Sequence, residues 1–138
     1  MSLSVAGRRP ETGFRLRAVG AAHLSRILIV EDDALLALDL AQNLERAGFS
    51  VVGQAASASR ALALLAKSNC DAAVLDVYLG RGQTSEPVAQ ALKLRGIPFV
   101  TVTAYSHEQR PAAYAGSAIL SKPVRLPDLL AELQRCLG

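Results

Sequence analysis

Apolar residues in this chain are grouped in two ways. Short continuous runs over 26–31 (RILIVE), 49–54, 72–75, 97–103 and 118–121 are rich in Ile, Val, Leu and Ala. Runs of that length, bounded by polar or glycine-containing segments, read as strands buried on both faces, as in a parallel sheet. Between them the spacing widens to that of a helix. Leu36, Leu40 and Leu44 would form one face of a helix over 34–47, stopped by Gly48. Ser57 can cap a helix reaching about 68, with Ala58, Ala61, Leu62 and Leu65 facing inward. Ser85 is a candidate cap for a third helix, with Pro87 in its first turn and Gly96 beyond its end near 95.

The rhythm fails once. Between 106 and 116, where a fourth helix belongs, Pro111 and Gly116 leave room for only a turn or two. A last helix over 126–137 follows, with Pro127 in its first turn. Five strands alternating with helices predict a three-layer, doubly wound α/β domain. Its parallel sheet should have the flavodoxin-like order 2-1-3-4-5, with the fourth helix truncated.

In such a sheet the chemistry collects at the carboxyl ends of the strands. Glu31, Asp32 and Asp33 end the first strand, Asp76 the third, Thr103 the fourth and Ser121-Lys122-Pro123 the fifth. Each has a bland alternative: turn acid, helix cap, ordinary strand threonine, loop lysine. Their coincidence at one edge does not. Clustered carboxylates repel unless a cation neutralises them, and oxygen donors of this kind suit Mg²⁺. A lysine and a hydroxyl opposite them suit phosphoryl oxygens. The set reads as a site where a carboxylate attacks phosphorus to give an acyl phosphate.

With Thr103-Ala104 and Lys122-Pro123 beside the acids, the chain from about Ser25 onward resembles the receiver domain of bacterial two-component response regulators. The resemblance implies Asp76 as phosphoacceptor, Asp32 as direct Mg²⁺ ligand and Glu31 as a ligand through water. It further implies the Tyr78 backbone carbonyl as a metal ligand, Thr103 as the hydroxyl that follows the phosphoryl group and Lys122 as its ion-pair partner. Asp33 is expected only to cap the first helix. Tyr78 and Tyr105, two residues beyond Asp76 and Thr103, are expected to flank the path of attacking water and slow hydrolysis. His23 and His107 receive no role.

Several positions depart from the common receiver pattern. Leu79-Gly80-Arg81-Gly82 replaces the usual Met-Pro-Gly turn, Lys122 lies 19 positions after Thr103, and Ile119 stands where a switching aromatic is usual. Coupling of the threonine to an aromatic in its usual form is therefore not expected. Together with Pro98-Phe99-Val100 and Thr103-Ala104-Tyr105, these features resemble the alphaproteobacterial FAT-GUY single-domain receivers. That resemblance implies a histidine kinase of the HWE or HisKA2 type, or a histidine phosphotransfer protein, as partner.

Composition changes this picture little. Of the 138 residues 51% are hydrophobic and 4% aromatic, enough for one aliphatic core. Cys70 and Cys136 are too few for a disulfide framework and suit a reduced, cytoplasmic setting. Charge is uneven: the net +3 comes from five arginines and one acid in the first 26 residues. Residues 1–24 are expected to be a basic, flexible extension and 25–138 the receiver, with no output domain. A DNA-associated regulator using that arm, and a degenerate receiver used for docking, are the alternatives. A haloacid-dehalogenase-type phosphatase would need an acid where Tyr78 stands. A Rossmann-type nucleotide site would need glycines where Glu31-Asp32-Asp33-Ala34 stands.

Overall fold

The structure is a computed structural model and describes residues 24–105 and 107–138. The expected basic arm, with His23, lies outside the described residues except for Leu24, and so does Ser106. The elements follow in the order β1 (Arg26–Val30), α1 (Ala34–Arg46), β2 (Ser50–Ala55), α2 (Ala58–Lys67), β3 (Ala72–Asp76), α3 (Glu86–Leu94) and β4 (Phe99–Thr103). A short 3-10 turn, η1 (Ala112–Tyr114), then leads to β5 (Ala118–Ser121) and α4 (Leu126–Leu137). The five strands are parallel and ordered β2-β1-β3-β4-β5. One irregularity, between Ile27 and Leu28, lets Val52 bulge from the β1–β2 pairing.

Alternation along the central strands divides the core between two faces. Ile27, Ile29, Val74, Val100 and Val102 face α1 and α4, meeting Ala37, Ala41, Leu44, Leu129 and Leu133. Leu28, Val30, Ala73 and Leu75 face α2 and α3, meeting Ala61, Leu65, Val88, Ala89 and Leu92. Tyr114, from η1, completes that second face and is 2% exposed. The truncated fourth helix is thus a single turn whose one large side chain is buried.

Three expectations need correction. The buried stripe of α1 is Ala37, Ala41 and Leu44, with Leu40 partly covered, whereas Leu36 is 44% exposed. Small alanines let the helix lie close to the sheet, so the leucine one turn earlier is displaced to the rim. For the same reason α2 buries Ala61 and Leu65 and leaves Leu62 exposed. Ser85 occupies the N-cap position of α3, but its side chain makes no capping bond. Its Oγ instead lies 2.9 Å from the buried hydroxyl of Tyr114. Strand and helix limits differ from the expected ones by a residue or two, as frayed ends do: β1 stops at Val30, β2 is displaced to 50–55, and β4 begins only at Phe99.

Candidate functional site at the carboxyl edge of the sheet

Asp76 closes β3 and is 6% exposed, because β3 lies between β1 and β4 with helices on both faces. Glu31 follows β1 and is also buried. Parallel pairing of β1 with β3 (Val30 with Leu75) brings these two acids together. Lys122, directly after β5, reaches across the edge to both. Its Nζ lies 2.7 Å from Asp76 Oδ2 and 2.9 Å from Glu31 Oε1. The Lys122–Pro123 bond is cis.

Electrostatics follow from this enclosure. Burial, partly opposed by the hydrogen bonds from Lys122 and Asp33, raises the Glu31 carboxyl above its ordinary pKa, and the charge of Asp76 adds to the rise. Burial alone would lower the Lys122 ammonium. The hydrogen bonds and charges of Asp76 and Glu31 outweigh it, and its pKa rises. Lysine is therefore held charged between two acids.

Asp33 caps α1 as expected, its Oδ1 accepting from the N–H groups of Leu35 and Leu36 at 3.0 and 3.2 Å. Its own N–H donates to Glu31 Oε2. Both oxygens of Glu31 are thus engaged, one by Lys122 and one by the backbone. Asp32 remains exposed at the mouth. Glu31, Asp32 and Asp76 each present a carboxylate oxygen, and these lie within 4.8 Å of one another. Three hard oxygen donors this close form a set that fits a divalent cation such as Mg²⁺.

The loop after β3 is built against these acids. Gly80 adopts φ +80°, and a Cβ there would come 3.1 Å from Asp32 Oδ2. Glycine at this position satisfies both the left-handed backbone and the close approach. Tyr78 is tied by an antiparallel bridge to Thr84.

Thr103 ends β4, next to Asp76 through the β3–β4 pairing, and is 1% exposed. Its Oγ1 accepts the N–H of Tyr105 at 3.0 Å, which leaves the hydroxyl hydrogen available to another acceptor. The rings of Tyr78 and Tyr105 meet edge to face at 5.5 Å between centroids. Glu108, which no sequence pattern singles out, accepts the Tyr78 hydroxyl hydrogen and thereby raises the pKa of that phenol. No pattern in the chain announces this pairing across 30 positions. Ile119, in place of an aromatic, is 37% exposed on β5, and His107 is exposed.

A parallel five-stranded sheet of doubly wound order, with acids at the ends of β1 and β3, a hydroxyl at the end of β4 and a lysine directly after β5, is the architecture of a receiver-type signalling domain. The sequence profile described as response regulator receiver domain matches residues 27–134. The chain belongs to that family, and its role is that of a response regulator receiver in two-component signalling.

Among curated relatives, the transcriptional regulatory protein PdtaR of Mycobacterium tuberculosis is 31% identical over 117 residues. That match covers 83% of this chain and 57% of PdtaR. Phyllosphere-induced regulator PhyR of Methylorubrum extorquens is 28% identical over 127 residues, covering 88% of this chain and 46% of PhyR. The chain thus spans about half the length of these relatives. Among solved structures, SdrG from Sphingomonas melonis Fr1 is 37% identical with a TM-score of 0.71, covering 83% of this chain and 98% of SdrG. Receiver domains are signalling modules that act with histidine kinases or phosphotransfer proteins. No helix among the described residues is long and apolar enough to cross a membrane.

Proposed function

We propose that this receiver accepts a phosphoryl group on Asp76 from a phosphohistidine of a kinase or phosphotransfer protein. The observation that carries the proposal is the pairing of Asp76 with Lys122 beside Glu31 and Asp32. In the transfer a carboxylate oxygen of Asp76 forms a bond to phosphorus. The P–N bond of the donor breaks, its electron pair returns to the imidazole, and an acyl phosphate remains on the aspartate.

Asp32, Asp76 and the Tyr78 backbone carbonyl would hold Mg²⁺ directly. Glu31, both of whose oxygens are engaged by protein donors, would act through water. When bound, the ion offsets the charge that gathers on the phosphoryl oxygens. Lys122 supplies a second positive charge and passes from the carboxylate of Asp76 to a phosphoryl oxygen. Thr103 donates its hydroxyl hydrogen to another, since its lone pair already receives the Tyr105 N–H. Ala104, being small, leaves the phosphorus open to the incoming histidine.

A cytoplasmic setting and an HWE- or HisKA2-type kinase fit the sequence resemblance to FAT-GUY receivers. The decisive experiment is intact mass after incubation with acetyl phosphate and Mg²⁺. Wild type should gain one phosphoryl group and Asp76→Ala none. Equal gain by both would move the acceptor elsewhere, and no gain from either acetyl phosphate or a phosphohistidine donor would leave only a docking role.

A further inference from the structure

Two loops leave neighbouring strands at the mouth of the site, one after β3 and one after β4. Neither is part of a helix there, and both carry an exposed tyrosine: Tyr78 is 43% and Tyr105 57% exposed. Tyrosines left that open normally rotate freely. Here each is held. The backbone of Tyr78 is bridged to Thr84, and that of Tyr105 is tied to the Thr103 hydroxyl. The chain then turns back on itself, the Glu108 N–H donating to the Tyr105 carbonyl at 3.0 Å, with Arg110 Nη1 at 3.4 Å from the same oxygen. This turn delivers the Glu108 carboxylate to the Tyr78 hydroxyl. A closed circuit results: Thr103 to Tyr105, Tyr105 to Glu108, Glu108 to Tyr78, and the Tyr78 ring back onto Tyr105.

We propose that Glu108 is a positioning residue that latches the Tyr78 ring across the β4 side of the site and so limits the access of water to an acyl phosphate on Asp76. The inference deepens the phosphoacceptor assignment and rests on it. The latch acts through one exposed hydrogen bond, so its effect is modest. The expected change in the rate of loss is roughly two- to tenfold.

The test is the lifetime of the phosphoprotein after rapid removal of acetyl phosphate, followed by intact mass for the full chain. Glu108→Ala and Tyr78→Phe should each shorten it by that factor. The double variant should lose no more than either alone, because both remove the same bond. Glu108→Gln, which keeps an acceptor oxygen, should restore most of the lifetime, a recovery that a purely structural defect would not show. Unchanged lifetimes in both single variants, or fully additive losses, overturn the latch while leaving Asp76 as acceptor. Failure of wild type to take up a phosphoryl group overturns the acceptor assignment and the latch together. As a second measurement, the Tyr78 ring resonances should shift in Glu108→Ala without phosphate, and an unmoved ring would be fatal to the idea.

Discussion

The two sides of the site's mouth are built by opposite means. On the β1–β3 side, charge is buried: Glu31 and Asp76 sit at strand ends, and one lysine pairs with both. On the β4 side, beyond the buried Thr103, the exposed side chains of Tyr78, Tyr105 and Glu108 join the two loops to each other. The difference teaches where each kind of precision comes from. Placement of reacting charge needs a rigid, desolvated frame, in which a misplaced group would be expensive. Control of access needs only weak bonds that can open, and these belong on loops.

Lys122→Met would break this contrast most severely. It leaves Glu31 and Asp76 without their cation, costing about 2–3 kcal/mol, below the usual 3–5 for a fully buried pair because Lys122 is partly exposed. Urea unfolding should show that loss in EDTA and recover much of it on adding Mg²⁺, since a divalent ion would replace the missing charge. Equal loss with and without Mg²⁺ would argue that the acids do not share a cation site.

Tyr114→Phe probes the anchoring of the β4 side. The Tyr114 hydroxyl pairs with Ser85 in the core, and its backbone carbonyl accepts the Ser117 hydroxyl at 2.8 Å, which in turn meets Thr101 at 2.7 Å. Loss of the one hydroxyl should cost about 1–2 kcal/mol by leaving Ser85 short of a partner. Uptake of phosphoryl from acetyl phosphate should be unaffected. A large fall in uptake would mean that η1 helps to shape the reacting side as well.

The smallest effect is one of pH. Burial, the largest cause, raises the Tyr114 phenol above its ordinary pKa despite the Ser85 bond. Below the unfolded value of about 10 both states keep the proton, and the stabilising effect of the hydroxyl is fully present. Above it the unfolded chain loses the proton first, so stability falls as pH rises toward the folded value. The stability gap between wild type and Tyr114→Phe should therefore hold constant at about pH 8 to 9 and narrow as pH rises above about 10. A gap that stays constant throughout would contradict this.

What was legible in the sequence follows the same division. Strand ends are legible, because period and topology carry Glu31, Asp76, Thr103 and Lys122 to one edge whatever their side chains do. The break at Pro111 and Gly116 likewise announced the truncated fourth helix. Helix faces were half legible: leucines drew attention at 36 and 62, while the sheet selected the alanines at 37, 41 and 61. Partnerships between distant side chains were not legible. Ser85 looked like a cap and is the partner of Tyr114, 29 positions away. Glu108 looked like nothing at all, since a single exposed acid in a loop carries no periodicity to read.

Gly80 has a consequence for how this sequence can drift. Its φ of +80° strains any L side chain, and a Cβ there would also make the Asp32 carboxylate give way by a few tenths of an ångström, so a neutral walk through related sequences is held back chiefly by backbone angle. Arg81 beside it is exposed and carries a side chain at a positive φ of 53°. A library randomised over this loop should thus return glycine predominantly at position 80, with Asn or Asp as the next most frequent, and a wider range at position 81, where an arginine already occupies the left-handed region.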